Sequence, residues 1–211
     1  NLTKISQDLL YEDKIYDALK RSSDSEDPLR QFEYESTVNS HLKMVVISRP
    51  EIRSLCIFAN DGRAYYQDDN TKEAGLRQDI PYPDMLERAR LMKGKPYVHT
   101  VSENKKVKAI YLVRQINDRD YFKELGLLVM KIKTELLGEV YQGLTGNLQN
   151  IVILSPDMDL IAGRNSDDPA VYSGILSDKI NGDAGERVDE GAGLFVSYIT
   201  LKSTGWKVAA Y

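Results

Sequence analysis

Tyrosine is the over-represented reactive side chain: 13 Tyr stand against 4 Phe and 1 Trp. Tyr65, Tyr66, Tyr82, Tyr97 and Tyr111 gather in one stretch with His99, Arg88 and Arg114. A tyrosine offers a flat apolar face and a hydroxyl, which suits polar small ligands and protein contacts. Arg114 alternates with Leu112 and Ile116, so it points to the same strand face as those apolar residues. A buried guanidinium needs an anion or several acceptors. It could grip a ligand carboxylate or a sugar hydroxyl; an internal ion pair with an acid of a neighbouring helix would satisfy it equally. Tyr65, Arg88, Tyr97, His99, Tyr111 and Arg114 are therefore the candidate ligand-binding residues. Each tyrosine also fits a half-buried sheet position with a wet hydroxyl, and Arg88 and Arg90 fit a solvated helix face.

Catalytic constellations are not found. The two histidines, His41 and His99, lie far apart and match no metal-ligand spacing. Lys93-Gly94-Lys95-Pro96 lacks the glycine ladder and the Ser/Thr of a phosphate loop. Asp157-Met158-Asp159 begins like a calcium loop, but Ile161 and Ala162 occupy positions that need a ligand and a glycine, so a hairpin turn is expected there. No Ser or Cys has a local nucleophile signature. The chain is expected to bind, with no metal and no cofactor, and not to catalyse.

A net charge of −4 and a pI near 5.3 argue against a nucleic-acid surface. No apolar run approaches the span of a bilayer and no signal peptide is present. Cys56 is the one cysteine, flanked by Leu55 and Ile57, and reads as a buried small hydrophobe. Both ends fall inside patterned elements, which suggests a piece of a longer protein.

The elements that must position these residues show a loose internal repeat. Residues 54–66 and 150–162 align without gaps at an offset of 96: an apolar run, a turn at Asp61 or Asp157, and a second strand-like run. Two related sheet domains in tandem are implied. Ahead of them, Leu2, Ile5, Leu9, Tyr16 and Leu19 draw a narrow helical stripe, roughly a heptad seam, over residues 2–20. Asp27 and Pro28 start a second helix, with Tyr34, Val38, His41, Leu42, Val45 and Val46 on one face and an end before Pro50. Strands are predicted at 52–58, 63–67, 96–101, 107–116 and 125–132. Met85, Leu86, Ala89 and Met92 mark a helical excursion between the second and third. A linking helix at 134–143 and Gly143 and Gly146 bracket the boundary. Strands near 150–155, 159–163, 186–190, 193–201 and 205–211 repeat the plan around an excursion at 168–181. The glycine-rich stretch 181–193 is partly a mobile loop.

Several stretches then resemble a family: Ile52-Arg53-Ser54-Leu55-Cys56-Ile57-Phe58, Leu112-Val113-Arg114-Gln115-Ile116, the run 125–132, Ile151-Val152-Ile153-Leu154 and Ser203-Thr204-Gly205-Trp206-Lys207-Val208. In order and spacing the chain resembles the extracytoplasmic double Cache sensor region of bacterial histidine kinases, especially the YesM-like kinases of Gram-positive bacteria. The resemblance implies a mixed α+β fold: a long helical stalk (1–50), a membrane-distal PAS-like antiparallel-sheet domain (51–145) and a membrane-proximal one (146–211). It implies a membrane-anchored receptor on the extracytoplasmic side, homodimeric through the stalk. A small extracellular ligand would bind in the distal domain, walled by the excursion and adjoining strands. A cytoplasmic kinase and its response regulator would follow. A chemoreceptor or cyclase ectodomain, or a sensor working through protein contacts alone, would share these features. The amino-acid-binding branch of the family carries a Tyr, Arg, Trp and Asp set in the first domain. The one tryptophan here, Trp206, lies in the second, so that motif is absent and Trp206 reads as a packing anchor.

Overall fold

The computed structural model describes residues 2–22, 27–69, 80–121, 123–136, 151–163, 180, 182–189 and 194–210. The linking helix beyond residue 136, the glycines at 143 and 146, nearly all of the 168–181 excursion and part of the 181–193 stretch lie outside the described residues. The chain divides into two compact units, residues 1–99 with 111–132, and residues 100–110 with 133–211.

The first unit begins with three helices, α1 (Leu2–Tyr11), α2 (Asp13–Ser22) and α3 (Pro28–Ser48). The single helix expected over 2–20 is broken at Glu12. Ile5 and Leu9 are buried, as are Ile15, Ala18 and Leu19. On one straight helix, at about 100° per residue, these two groups would point about 100° apart. The break resets the phase, so both enter one core. Glu12 lends its carbonyl to the amides of Ile15 and Tyr16 at 3.1 and 3.0 Å, which starts α2. α3 begins as the sequence predicts. Asp27 is extended, its Oδ1 accepts the Leu29 amide at 3.0 Å, and Pro28 follows; such a cap contributes about 1 kcal/mol.

The sheet of this unit comprises β1 (Ile52–Ala59), β2 (Ala64–Asp68), β3 (Tyr97–Glu103), β4 (Lys106–Asn117) and β5 (Glu124–Ile132), with α4 (Tyr82–Leu91) between β2 and β3. The strand order is 2-1-5-4-3. Leu55, Ile57, Ala59, Tyr65, Leu112, Ile116, Leu128 and Met130 pack with Ile5, Leu9, Ile15, Leu19, Val38, Leu42 and Val46 in one core. One sheet face is thus consumed by the three helices. Lys20 ties α2 to the β4–β5 turn through Asp118 at 2.9 Å. The amides of Tyr121 and Asp120, with Lys20, hold the Asp118 pKa down to about 2.

The second unit holds β6 (Ile151–Leu154), β7 (Leu160–Gly163), β8 (Ala184–Asp189), β9 (Leu194–Thr200) and β10 (Lys207–Ala210). Their order, β7-β6-β10-β9-β8, is again 2-1-5-4-3 counted from β6. Val152, Leu154, Leu160, Ile180, Val196, Tyr198 and Ala209 form its core. Residues 100–110, the tip of the β3–β4 hairpin, belong to this unit. There Lys106 of β4 pairs in parallel with Leu160 of β7, and the Leu160 amide donates to the Lys105 carbonyl at 2.9 Å. The sequence repeat implies two separate antiparallel sheets; within the second unit this one parallel bridge adds the tip of the β3–β4 hairpin to β7. Its cause is the β3–β4 turn, where Asn104 and Lys105 take φ of 52° and 62°, as a two-residue hairpin turn requires. That turn presents the Lys105 carbonyl.

The repeat holds down to individual hydrogen bonds. In the first copy the Ala59 amide donates to Arg63 O at 2.8 Å and the Gly62 amide to Ala59 O at 3.1 Å. In the second, Ser155 donates to Asp159 O at 2.8 Å and Met158 to Ser155 O at 3.0 Å. Gly62 and Met158, 96 positions apart, share the left-handed backbone, with φ of 86° and 63°.

Two glycines of the first unit separate backbone freedom from space. A Cβ at Gly62 would meet nothing within 4 Å. At Gly126, which pairs with Ala59, a Cβ would overlap the Phe58 carbonyl oxygen. In urea denaturation, Gly62→Ala is expected to cost about 1 kcal/mol from its φ alone. Gly126→Ala is expected to cost more, about 1–3 kcal/mol, because strand backbone must move. Equal losses would contradict this reading.

Candidate functional site

The six candidate residues lie in the first unit but fall on two faces of its sheet. Tyr65 and Arg114 face the helices. Tyr65 is a member of the helix-side core. The Arg114 guanidinium reaches Ser6 Oγ of α1, at a long 3.5 Å, and no carboxylate pairs with it among the described residues. The alternation with Leu112 and Ile116 holds, and no acid of a neighbouring helix pairs with Arg114 among the described residues. Arg88, Tyr97, His99 and Tyr111 belong to the other side, the one α4 covers. The sequence pattern shows the alternation but not which face the helices occupy.

On the α4 side, the Tyr97 hydroxyl donates to the Met85 carbonyl at 2.7 Å, joining β3 to the helix. Burial pushes its pKa up to about 12, against a smaller opposing pull from Arg88. Arg88 lies over the Tyr97 ring, 5.0 Å from its centroid, a cation–π contact. His99 meets the same ring edge-on at 6.4 Å. Tyr111 is buried on neighbouring β4. Phe58 and Tyr82 stack at 4.6 Å where β1 meets the start of α4.

His99 is the polar group left open. Its Nδ1 is buried without a hydrogen-bond partner among the described residues. Burial lowers its pKa, Arg88 lowers it further, and Asp84 opposes. The ring is neutral near pH 7, so Nδ1 can donate or accept according to tautomer. An unmatched buried polar atom costs about 1–3 kcal/mol, which a ligand can offset by pairing with it.

A clamp that the sequence did not single out holds α4. Arg90 donates to both Glu124 oxygens, Nε at 2.9 Å and Nη2 at 3.0 Å, and Gln115 Nε2 donates to Oε2 at 2.9 Å. Such a forked pair fixes orientation as well as distance. The participants lie 34 and 9 residues apart and no local pattern links them. Among the described residues no group of three His, Cys, Asp or Glu could hold a metal ion. The arrangement can recognise a small polar molecule through one neutral imidazole, one exposed guanidinium and aromatic walls.

Two five-strand sets of order 2-1-5-4-3, preceded in the chain by helices, give a mixed α+β fold of the kind seen in solved sensory domains. Neither a family description nor any curated protein matches the chain. Among solved structures it is similar to the sensory domain of the Campylobacter jejuni chemoreceptor Tlp3, with a TM-score of 0.59 and 17% identity, covering 99% of this chain and 96% of that one. It is also similar to the extracellular domain of vpHK1S-Z8, described as a histidine kinase, with a TM-score of 0.62, 13% identity, and 99% and 85% coverage. A third is the ligand-binding domain of the Pseudomonas fluorescens chemoreceptor CtaA in complex with L-leucine, with a TM-score of 0.55, 12% identity, and 99% and 86% coverage.

The His99 environment sets a measurable titration. Its pKa, followed by NMR of the ring carbons, is expected below the usual 6.5 and to rise in Arg88→Ala, which removes a repelling charge. The neutral ring is favoured by folding, so its contribution is intact above about pH 6.5 and is lost as pH falls through the folded-state value. A pKa above 6.5, or one insensitive to Arg88, would show that His99 is not in the environment described.

Proposed function

We propose that the chain is the extracellular sensing domain of a membrane-bound two-component histidine kinase and recognises a small ligand on the α4 face of its membrane-distal domain. The observation that carries this is the gathering of Arg88, Tyr97, His99 and Tyr111 on the sheet face that α1–α3 leave to α4, with His99 Nδ1 unpaired among the described residues. The vpHK1S-Z8 likeness supports the kinase output, with a cytoplasmic response regulator as its partner. The Tlp3 and CtaA likenesses favour a second reading, the ectodomain of a chemoreceptor. A ligand acts by binding one conformation of the receptor better than the other. Small amino acids head the ligand candidates because Tlp3 was seen with L-valine and CtaA with L-leucine. Sugars and organic acids follow. In a thermal-shift screen of these classes, at least one compound is expected to raise Tm by several degrees, and Tyr111→Ala is expected to remove that rise. A hit whose shift survives Tyr111→Ala and disappears on changing the second unit would move the site to that unit.

Dimerisation through the stalk is part of the same proposal. The stripe of α1 and α2 is spent on the unit's own core, where Ile5 is 7% exposed. α3 instead carries Leu29, Phe32, Met44 and Ile47 on its outer face, Ile47 at 72% exposure. These positions recur on one side of a 21-residue helix. We place the seam there. In the membrane-bound receptor, Ile47→Cys is expected to cross-link to its mate and Ile5→Cys is not; the reverse pattern would return the seam to α1.

A further inference from the structure

The other sheet face holds a charge that the sensing site does not use. At the C-terminal end of β4 a cleft of about 390 Å³ is lined by Lys93 and Gly94 of the α4–β3 turn, by Arg114, Asn117 and Arg119, and by Tyr11 at the end of α1. The charges in it are unequally spent. Arg119 is paired with Asp13 at 2.6 Å and donates to the Leu10 carbonyl at 3.2 Å. Asp118, the one acid of the lining, is held by Lys20 at 2.9 Å and accepts the Asp120 and Tyr121 amides at 2.7 and 2.9 Å. Arg114 has only the long contact to Ser6, and Lys93 forms no ion pair among the described residues. Two positive charges therefore line the cleft with no anion among the described residues paired to either of them.

A partly buried guanidinium without a counter-ion is a costly arrangement unless something else supplies the charge. Burial lowers the Arg114 pKa, which records that cost. In the same cleft, Asn117 Oδ1 is buried and has no partner among the described residues, while its Nδ2 lies against Gly94, 3.1 Å from where a Cβ would stand. The site thus offers cationic donors at one end and a vacant acceptor at the other.

We propose that this cleft, at the end of β4 between α1 and the α4–β3 turn, is a second binding site for a small carboxylate that carries an adjacent hydroxyl or ammonium group. The carboxylate lies between Arg114 and Lys93, and the neighbouring donor reaches Asn117 Oδ1. A bound carboxylate would touch the end of α1, because Tyr11 lines the cleft and Arg114 abuts Ser6. It would thereby bias the helix pair that precedes α3. The inference does not rest on the α4-face reading, and the two sites are separable by mutation.

The test uses chain 1–211 and NMR of its backbone amides at constant ionic strength, with L-lactate, L-alanine and propionate as probes. L-lactate or L-alanine is expected to shift Tyr11, Gly94 and Asn117, and to bind at least fivefold tighter than propionate, which lacks the donor. Which of the two binds tells hydroxyl from ammonium. Arg114→Gln is expected to weaken binding tenfold or more, as loss of a charged hydrogen-bond partner does. Lys93→Gln is expected to weaken it several-fold; Lys93 is exposed, so this variant keeps the test valid if Arg114→Gln does not fold. Arg88→Ala should leave the shifts of Tyr11, Gly94 and Asn117 unchanged, whatever it does to binding on the α4 face. Shifts reproduced by sodium chloride alone, affinity insensitive to Lys93→Gln, propionate binding as tightly as both probes, or loss of those three shifts in Arg88→Ala would each overturn the proposal.

Discussion

Everything in the first unit follows from burying one face of a five-stranded sheet under three helices. Side chains alternate along a strand, so the choice of face for one residue fixes it for the rest. Leu55, Ile57, Leu112, Ile116, Leu128 and Met130 all turn to the helices. Cys56, Tyr97, His99, Tyr111 and Val113 are left for the opposite side. A buried leucine or isoleucine contributes about 1.5–3 kcal/mol, so a slip of one residue in any central strand would forfeit several such contributions. The face offered to a ligand is therefore the residue of a packing decision.

The same constraint explains the local irregularities. α1 and α2 break at Glu12 because an unbroken helix would turn half of its apolar residues away from the sheet. Gly126 sits where β5 runs close to the Phe58 carbonyl, at the edge of that core. On the opposite side α4 buries only Met85 and Ala89. It is held by polar clamps, Arg90 to Glu124 and Tyr97 to the Met85 carbonyl. A helix fastened mainly by directional bonds can shift at lower cost than one sunk in a core.

Much of this was legible in the residues. All ten strands lie close to the predicted ranges, since turn residues and apolar runs mark them locally. The offset of 96 reappears as matching turn hydrogen bonds at Ala59 and Ser155. Asp27 and Pro28 cap α3 as their chemistry requires. What escaped were relations between distant segments. The Glu12 break depends on where the sheet lies, and no Pro or Gly announces it. The partition of Tyr65 and Arg114 from Tyr97, His99 and Tyr111 depends on which face α1–α3 choose. The Glu124 clamp and the parallel bridge at Lys106 and Leu160 join residues that no periodicity connects.

The central claim is that α1–α3 take one face of the first sheet and leave the α4 face for the proposed ligand. Hydrogen–deuterium exchange of the chain with a ligand identified by its thermal shift tests this most directly. The account predicts added protection in α4, β3 and β4, with α3 and β1, already closed in the core, unchanged. Protection confined to β8 and β9, with the first unit unaffected, would contradict it.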